Sequence, residues 1–367
     1  MRSSGHPTRV GIVAGSLARP TPTTLVTMGD WSVTQPVDLV TPDSIIEAAA
    51  GLASVAVRTP LLECRWLEDI DLGAEVRFKA ESLQRSGAFK FRGAFTMIRR
   101  LPEAARTRGV IAPSSGNHGQ AVALAARLFR VPAVIVMPTT APRVKIEGAR
   151  RWGATVVFEG TLSSERQARA EAMAETHGYI MVPPYNHADV IAGQGTVGRE
   201  LLEDWPEVEA VLVPVGGGGQ LSGIAAWIKR ASPQCAIIGV EPEGSDVVRR
   251  SLEAGRPIRI AAPNTIADGL RSDRTGDVAF AHVQALVDDM ITVSDEAIQR
   301  AAGRLVREGK VIVEYSGAAA VAALLVNGRL PRGRRTAAVI SGGNLDPSVA
   351  STLLHASDGS TGSVVPT

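Results

Sequence analysis

The chain has 367 residues, 45% hydrophobic and 21% charged, enough for one large globular domain or two ordinary ones. A net charge of +2 gives no ground for a nucleic-acid or membrane partner, and no apolar run is long enough to span a bilayer. Cys64 and Cys235 lie far apart without redox or ligand spacing, and the six histidines form no pair at metal-ligand spacing; a reducing, cytoplasmic setting without a zinc centre is expected.

Residues 1–29 carry no acid and are rich in Ser, Thr and Pro, which predicts a flexible N-terminal extension. Short apolar, β-branched runs then recur at Glu75–Ala80, Gly109–Ile111, Ala133–Met137, Thr155–Phe158, Ala210–Val215, Ala236–Val240, Met290–Val293 and Thr336–Ile340. Between them lie segments of helical character at Gly119–Arg130, Arg166–Thr176, Gly219–Ala231, Ala297–Arg307 and Ala318–Leu325. Alternation of strand and helix predicts an α/β fold with a mostly parallel sheet covered on both faces, and ligands beyond the carboxyl ends of the strands. Residues 356–367 read as a flexible tail.

Four short segments carry chemistry. Gly216, Gly217, Gly218 and Gly219 follow one predicted strand and open a helix, so main-chain N–H groups can close on an anion such as phosphate without interference from Cβ atoms. The same four residues also suit a plain strand-to-helix turn, and no Lys-Ser/Thr follows to make a nucleotide P-loop. Ser114-Ser115-Gly116-Asn117-His118-Gly119 stands at a second strand-to-helix junction, where it can cradle a carboxylate or simply cap the helix. Ser341-Gly342-Gly343-Asn344 ends a third strand and offers one hydroxyl. Lys90 lies between two of only seven phenylalanines, in a chain where five of the 39 basic residues are lysine. A desolvated lysine, the more so beside Arg92, has a lowered pKa and becomes a nucleophilic amine. The alternative is an ordinary lysine snorkelling past aromatic rings. Together, an activated amine, a phosphate cradle and a carboxylate cradle describe pyridoxal phosphate and an amino acid.

The segment KAESLQRSGAFKFRGA from Lys79 to Ala94 resembles the cofactor-lysine motif of the serine/threonine dehydratase and serine racemase family. SSGNHGQA from Ser114, IAGQGT from Ile191, PVGGGG from Pro214, TIADG from Thr265 and SGGN from Ser341 match that family in the same order, so the resemblance runs from about residue 41 to about residue 353. It implies the fold type II architecture of two open, mostly parallel twisted sheets flanked by helices. A large cofactor domain would span 30–103 and 185–355, and a small mobile domain 104–184. It implies that Lys90 binds the cofactor covalently and that Gly216 to Gly219 hold its phosphate. Asn117 would meet the phenolic oxygen, Phe89 pack on the ring, Ser341 face the pyridine nitrogen and Glu314 lie near the ring edge. Ser114, Ser115, Gly116, Asn117 and His118 would bracket the substrate carboxylate, and Gly269 would face the substrate. The implied reaction is β-elimination of water from L-threonine or L-serine, with Lys90 as base, in a homodimer; racemisation, with Ser115 as the acid on the opposite face, is the alternative. A binding protein without turnover is disfavoured by the joint presence of Lys90, Ser115 and Ser341.

Two departures bear on the expectations. Members with a divalent cation use two acids six residues apart; Glu241 matches the first, but Val247 stands at the second, leaving Asp246 and the Ser245 carbonyl nearby, so no metal is expected. The sequence ends soon after Ser341, so feedback through a C-terminal regulatory domain is not expected.

Overall fold

The computed structural model describes residues 23–28, 31–63, 75–114, 116–141, 143–326 and 334–355. The chain opens with strands β1 (Thr23–Met28) and β2 (Trp31–Pro36), paired antiparallel, so part of the segment expected to be a flexible extension is a strand. Helix α1 (Pro42–Leu52), capped by the Thr41 hydroxyl, leads to β3 (Leu61–Glu63), β4 (Val76–Ala80), and helices α2 (Lys90–Arg100) and α3 (Glu103–Arg108). Strand and helix then alternate through β5 (Val110–Pro113), α4 (Asn117–Phe129), β6 (Ala133–Met137), α5 (Arg143–Arg151), β7 (Thr155–Phe158), α6 (Ser163–His177) and β8 (Ile180–Met181). The remainder runs α7 (Ala188–Asp204), β9 (Ala210–Pro214), α8 (Gly219–Ala231), β10 (Ala236–Pro242), α9 (Val247–Ala254), α10 (Asp277–Leu286), β11 (Asp289–Val293), α11 (Asp295–Arg307), α12 (Tyr315–Leu325), β12 (Thr336–Ile340) and α13 (Pro347–His355).

Two main sheets result. The larger has the order β11-β10-β9-β12-β4-β3, parallel except where β3 meets β4. The smaller, β7-β6-β5-β8, is parallel throughout and lies inside residues 104–184. Strands such as β9 and β12 are buried at every position, as an apolar run covered on both faces requires. Helices α11 and α12, with the segment between them, bury Ile298, Leu305, Val313 and Val321 on one face of the large sheet, while α7 and α8 bury Val197, Leu201, Ile224 and Ile228 on the other. Helix α2 joins the sheets: Phe91, Phe95 and Ile98 share a core with the alanines of α4.

Helix α7 carries Gly193, Gly195 and Gly198, each of which lowers helix propensity, and the sequence alone gives no clear helix there. Close crossings explain them: Gly195 and Gly198 face Gly223 and Ile224 of α8, and Gly193 faces α2. A Cβ on Gly193 would stand 2.5 Å from the Arg92 carbonyl and 2.7 Å from the Gly93 Cα, so the two backbones touch. Packing thus decides what propensity opposes.

Beneath that crossing lies a closed ionic network. The Arg92 guanidinium donates to both oxygens of Glu81 at 2.8 Å and to both of Glu200 at 2.6 and 2.9 Å. Lys79, equally buried, donates to Glu200 at 2.8 Å and to the Thr59 carbonyl at 2.7 Å. Removing one partner of a buried pair leaves the other charge uncompensated. Arg92→Met should therefore lower the unfolding free energy by about 3 kcal/mol. Urea unfolding measures this, and a loss under about 1 kcal/mol would show the network to be energetically idle.

Candidate active site

The carboxyl ends of β9, β12 and β4 are adjacent in the large sheet, and three of the sequence motifs leave from them. The glycine turn follows β9. Gly218 takes φ 96°, a conformation that favours glycine, and is the N-cap residue of α8. A Cβ on Gly217 would lie 2.3 Å from the Tyr185 ring, which therefore packs flat against the turn; the Tyr185 hydroxyl donates to the Arg274 carbonyl at 3.1 Å. In the first turn of α8, both amide atoms of Gln220 are buried and make no hydrogen bond among the described residues.

Ser341 follows β12, buried, with its hydroxyl 3.4 Å from the Ser316 carbonyl. The Ser316 hydroxyl in turn accepts from the Gly269 N–H at 2.8 Å, which brings the exposed Gly269 loop to the same corner. The Ser341 carbonyl accepts the Phe89 N–H at 3.1 Å, so the residue before Lys90 is bonded to the end of β12.

Lys90 is the first residue of α2. Its amine donates to the Pro184 carbonyl at 2.6 Å and lies 5.0 Å from the centre of the Phe89 ring. Burial of the amine end pushes its pKa down to about 8. Arg92 is not the cause expected from the sequence: its guanidinium is neutralised by Glu81 and Glu200.

The second junction, between β5 and α4, faces this group from the smaller sheet. The Ser114 hydroxyl accepts the N–H of Gly116 at 3.3 Å and of Gly119 at 3.1 Å, as a cap. A side chain at Gly116 would meet nothing within 4 Å, so this turn borders open space. Ser115 lies outside the described residues. The His118 ring is turned into the protein, buried with Nε2 at 2.8 Å from the Val182 carbonyl, which leaves only its main-chain N–H at the α4 N-terminus for a carboxylate. Burial, then the charge of Lys90, pushes it down to about 3, so the neutral ring is tied to Val182 rather than turned to a carboxylate. The Asn117 amide donates to Glu314, the N-cap residue of α12, which burial and then the charge of Asp268 raise to about 7. Lys145 on α5 pairs with Asp268 next to Gly269, a second tie between the two sheets.

Pro184 and Tyr185 were not singled out from sequence, and Asn344 only as the end of the SGGN segment. The first acts through its carbonyl and the others through partners distant in the chain, so spacing carries no signal of them. Glu241 is also better understood from the structure: its carboxylate accepts the N–H of Val248 at 2.8 Å and of Arg249 at 2.9 Å, capping α9. Burial pushes it up to about 8. The Ser245 hydroxyl bonds the Leu270 carbonyl at 2.9 Å, and Asp246 pairs with Arg249 and Arg250.

Comparison with known proteins agrees with this geometry. The family of pyridoxal-phosphate dependent enzymes matches residues 53–342. The chain belongs to that family. An L-threo-3-hydroxyaspartate ammonia-lyase of a Pseudomonas species is 43% identical over 310 residues, 84% of this chain and 97% of that protein. An L-threonine ammonia-lyase of Thermotoga maritima is 43% identical over 317 residues, 86% of this chain and 79% of that one. The solved structure of maize serine racemase superposes with a TM-score of 0.82 at 38% identity, covering 86% of this chain and 97% of that one. The site suits pyridoxal phosphate on its own terms: an amine near neutrality, a glycine turn at a helix N-terminus beside the unpartnered Gln220 amide, and a hydroxyl at the neighbouring strand end.

An amine lowered to about 8 is mostly unprotonated above that pH and protonated below it. Borohydride trapping of pyridoxal phosphate on the cofactor-free protein should rise with pH through an inflection near 8 and vanish in Lys90→Ala. Label on Lys79 or Lys145 instead would displace Lys90 from the site.

Proposed function

We propose that this chain eliminates water from a small L-β-hydroxy amino acid, L-threonine or L-serine, releasing 2-oxobutanoate or pyruvate and ammonia, with Lys90 as the cofactor-binding residue. The observation that supports this most is the buried Lys90 amine, held near 8, between the glycine turn and the α4 N-terminus. When bound, pyridoxal phosphate supplies a conjugated sink for the electron pair left at the substrate Cα.

The chain's own groups do the rest. Main-chain N–H groups of Gly216 to Gly219, with the positive end of α8, hold the phosphate. Phe89 would flank the ring, Asn117 would donate an N–H to its phenolic oxygen and Glu314 would stand at its edge. The Ser341 hydroxyl would meet the pyridine nitrogen and, being neutral, would hold a proton there less firmly than a carboxylate. Ser114 and His118 are engaged within the protein, so the substrate carboxylate falls to the α4 N-terminus, to Gly116 and Asn117, and to Ser115. The Lys90 amine would take the Cα proton, and the β-hydroxyl would depart with one proton as water. Gly269 borders the substrate side chain.

A second reading keeps the reaction and changes the substrate to 3-hydroxyaspartate. It is favoured by the Pseudomonas relative and by Lys145, whose ammonium beside Gly269 offers a partner for a second carboxylate.

A substrate panel scored by 2-oxo acid release decides between them. L-threonine or L-serine should exceed L-threo-3-hydroxyaspartate in kcat/KM by at least about tenfold; the reverse order would install the second reading. With L-serine, Ser115→Ala should suppress D-serine formation before pyruvate formation, because only racemisation needs a donor on the face opposite Lys90. Wild-type protein that forms D-serine faster than pyruvate would be a racemase.

With Glu241 spent on two main-chain donors and Val247 in place of an acid, no divalent cation is proposed there. Activity and melting temperature should survive chelation. A loss on chelation that magnesium or calcium restores would contradict this.

A further inference from the structure

Asn344 closes the SGGN segment and has no role in the scheme above, yet its side chain stands where three segments meet. Its Nδ2 donates to the Ser86 carbonyl at 2.7 Å and to the Asn117 Oδ1 at 2.8 Å. The amide lies so close to Gly87 that a Cβ there would stand 2.3 Å from the Asn344 Oδ1. Ser86 and Gly87 take φ 59° and 76°, two successive left-handed residues in the turn leading to Lys90.

These contacts have a forced direction. A main-chain carbonyl can only accept, so Ser86 fixes which end of the Asn344 amide is NH2. That NH2 has two hydrogens; the second meets the side chain of Asn117, which must present its oxygen. The Asn117 NH2 is then turned the other way, toward Glu314. Glu314, raised to about 7, could act as donor or acceptor near neutrality and would not fix the Asn117 amide by itself. The polarity is imposed from the backbone outward, through Asn344.

We propose that Asn344 is a positioning residue that fixes the orientation of the Asn117 amide and thereby presents an N–H to the phenolic oxygen of the cofactor. The proposal rests on the reading of Asn117 as a cofactor contact. An N–H donor at that oxygen stabilises its anionic form and lowers the pH at which the bound chromophore loses its proton.

The experiment titrates the visible absorption of the reconstituted enzyme against pH. Asn117→Ala should move the midpoint up by about one unit. Asn344→Asp replaces a donor by an acceptor, turns the Asn117 amide round, and should move the midpoint up by a similar amount. In Asn117→Ala/Asn344→Asp the second change should add little, because no amide remains to be turned. Asn344→Ser, whose single hydroxyl proton can serve only one of the two carbonyls, should give a smaller shift that also disappears without Asn117; it supplies the same comparison if the aspartate variant does not fold. A midpoint moved by Asn117→Ala but unmoved by either Asn344 variant overturns the proposal, as does an Asn344→Asp shift undiminished in the double variant, which would be a charge effect. A midpoint unmoved by Asn117→Ala removes the cofactor contact itself, and the proposal falls with it.

Discussion

The Arg92 guanidinium, shut away from water between Glu81 and Glu200, constrains everything at the mouth of the large sheet. An isolated buried cation costs several kcal/mol, so both carboxylates must come to it. Glu81 stands on the segment leaving β4 and Glu200 on α7; Lys79 on β4 then balances the second acid, and the four charges sum to zero. The first turn of α2 is thereby fixed against both elements. Residues two apart on a helix point about 200° from one another, so a side chain anchored behind α2 at Arg92 directs Lys90 the opposite way, into the cleft. The same geometry explains why Arg92 leaves the lysine pKa alone.

Burial moves three titratable groups at the cleft toward their neutral forms: Lys90 to about 8, His118 to about 3, Glu314 to about 7. Side-chain charge is therefore scarce where two anions, a phosphate and a carboxylate, are to be held. The helix N-termini of α8 and α4 supply what the side chains do not: fixed N–H groups and partial positive charge that no pH change removes. An amine close to neutrality can then be nucleophile and base without a strong cation beside the substrate Cα.

Much of the fold was legible because parallel strands buried on both faces read as continuous apolar runs; β6, β7 and β12 fall on the expected residues. Helix α7 was not, because its glycines oppose helix formation and are explained only by close backbone contacts with α2 and α8. Among candidate site residues, those set by a strand-to-helix junction were legible from composition, since glycine, serine and asparagine at such points have local reasons to be there. Whether a side chain at a junction faces the ligand or the protein was not: His118 turns to Val182, and Ser114 caps its own helix. Arg92 was noticed but given the wrong task, because sequence shows proximity along the chain and not the direction of the side chain.

The two halves of the site are held by different kinds of bond. On the large sheet the connections are main-chain: Phe89 N–H to the Ser341 carbonyl, Gly343 N–H to the Gly87 carbonyl at 2.8 Å, Glu314 N–H to the Gly342 carbonyl at 3.2 Å. They tie the lysine turn, the end of β12 and the start of α12 into one piece that side-chain motion cannot loosen. From the smaller sheet, Asn117 reaches Glu314 and Asn344, and Lys145 reaches Asp268, by side chains alone. Such contacts can be given up one at a time, each exchanging a protein partner for water at a net difference of about 1 kcal/mol. A resident cofactor calls for the first kind of attachment and a substrate that enters and leaves calls for the second. In this chain the segments proposed to hold the cofactor covalently and to meet its pyridine nitrogen lie on the main-chain-bonded side, and the segment proposed to hold the substrate carboxylate lies on the other.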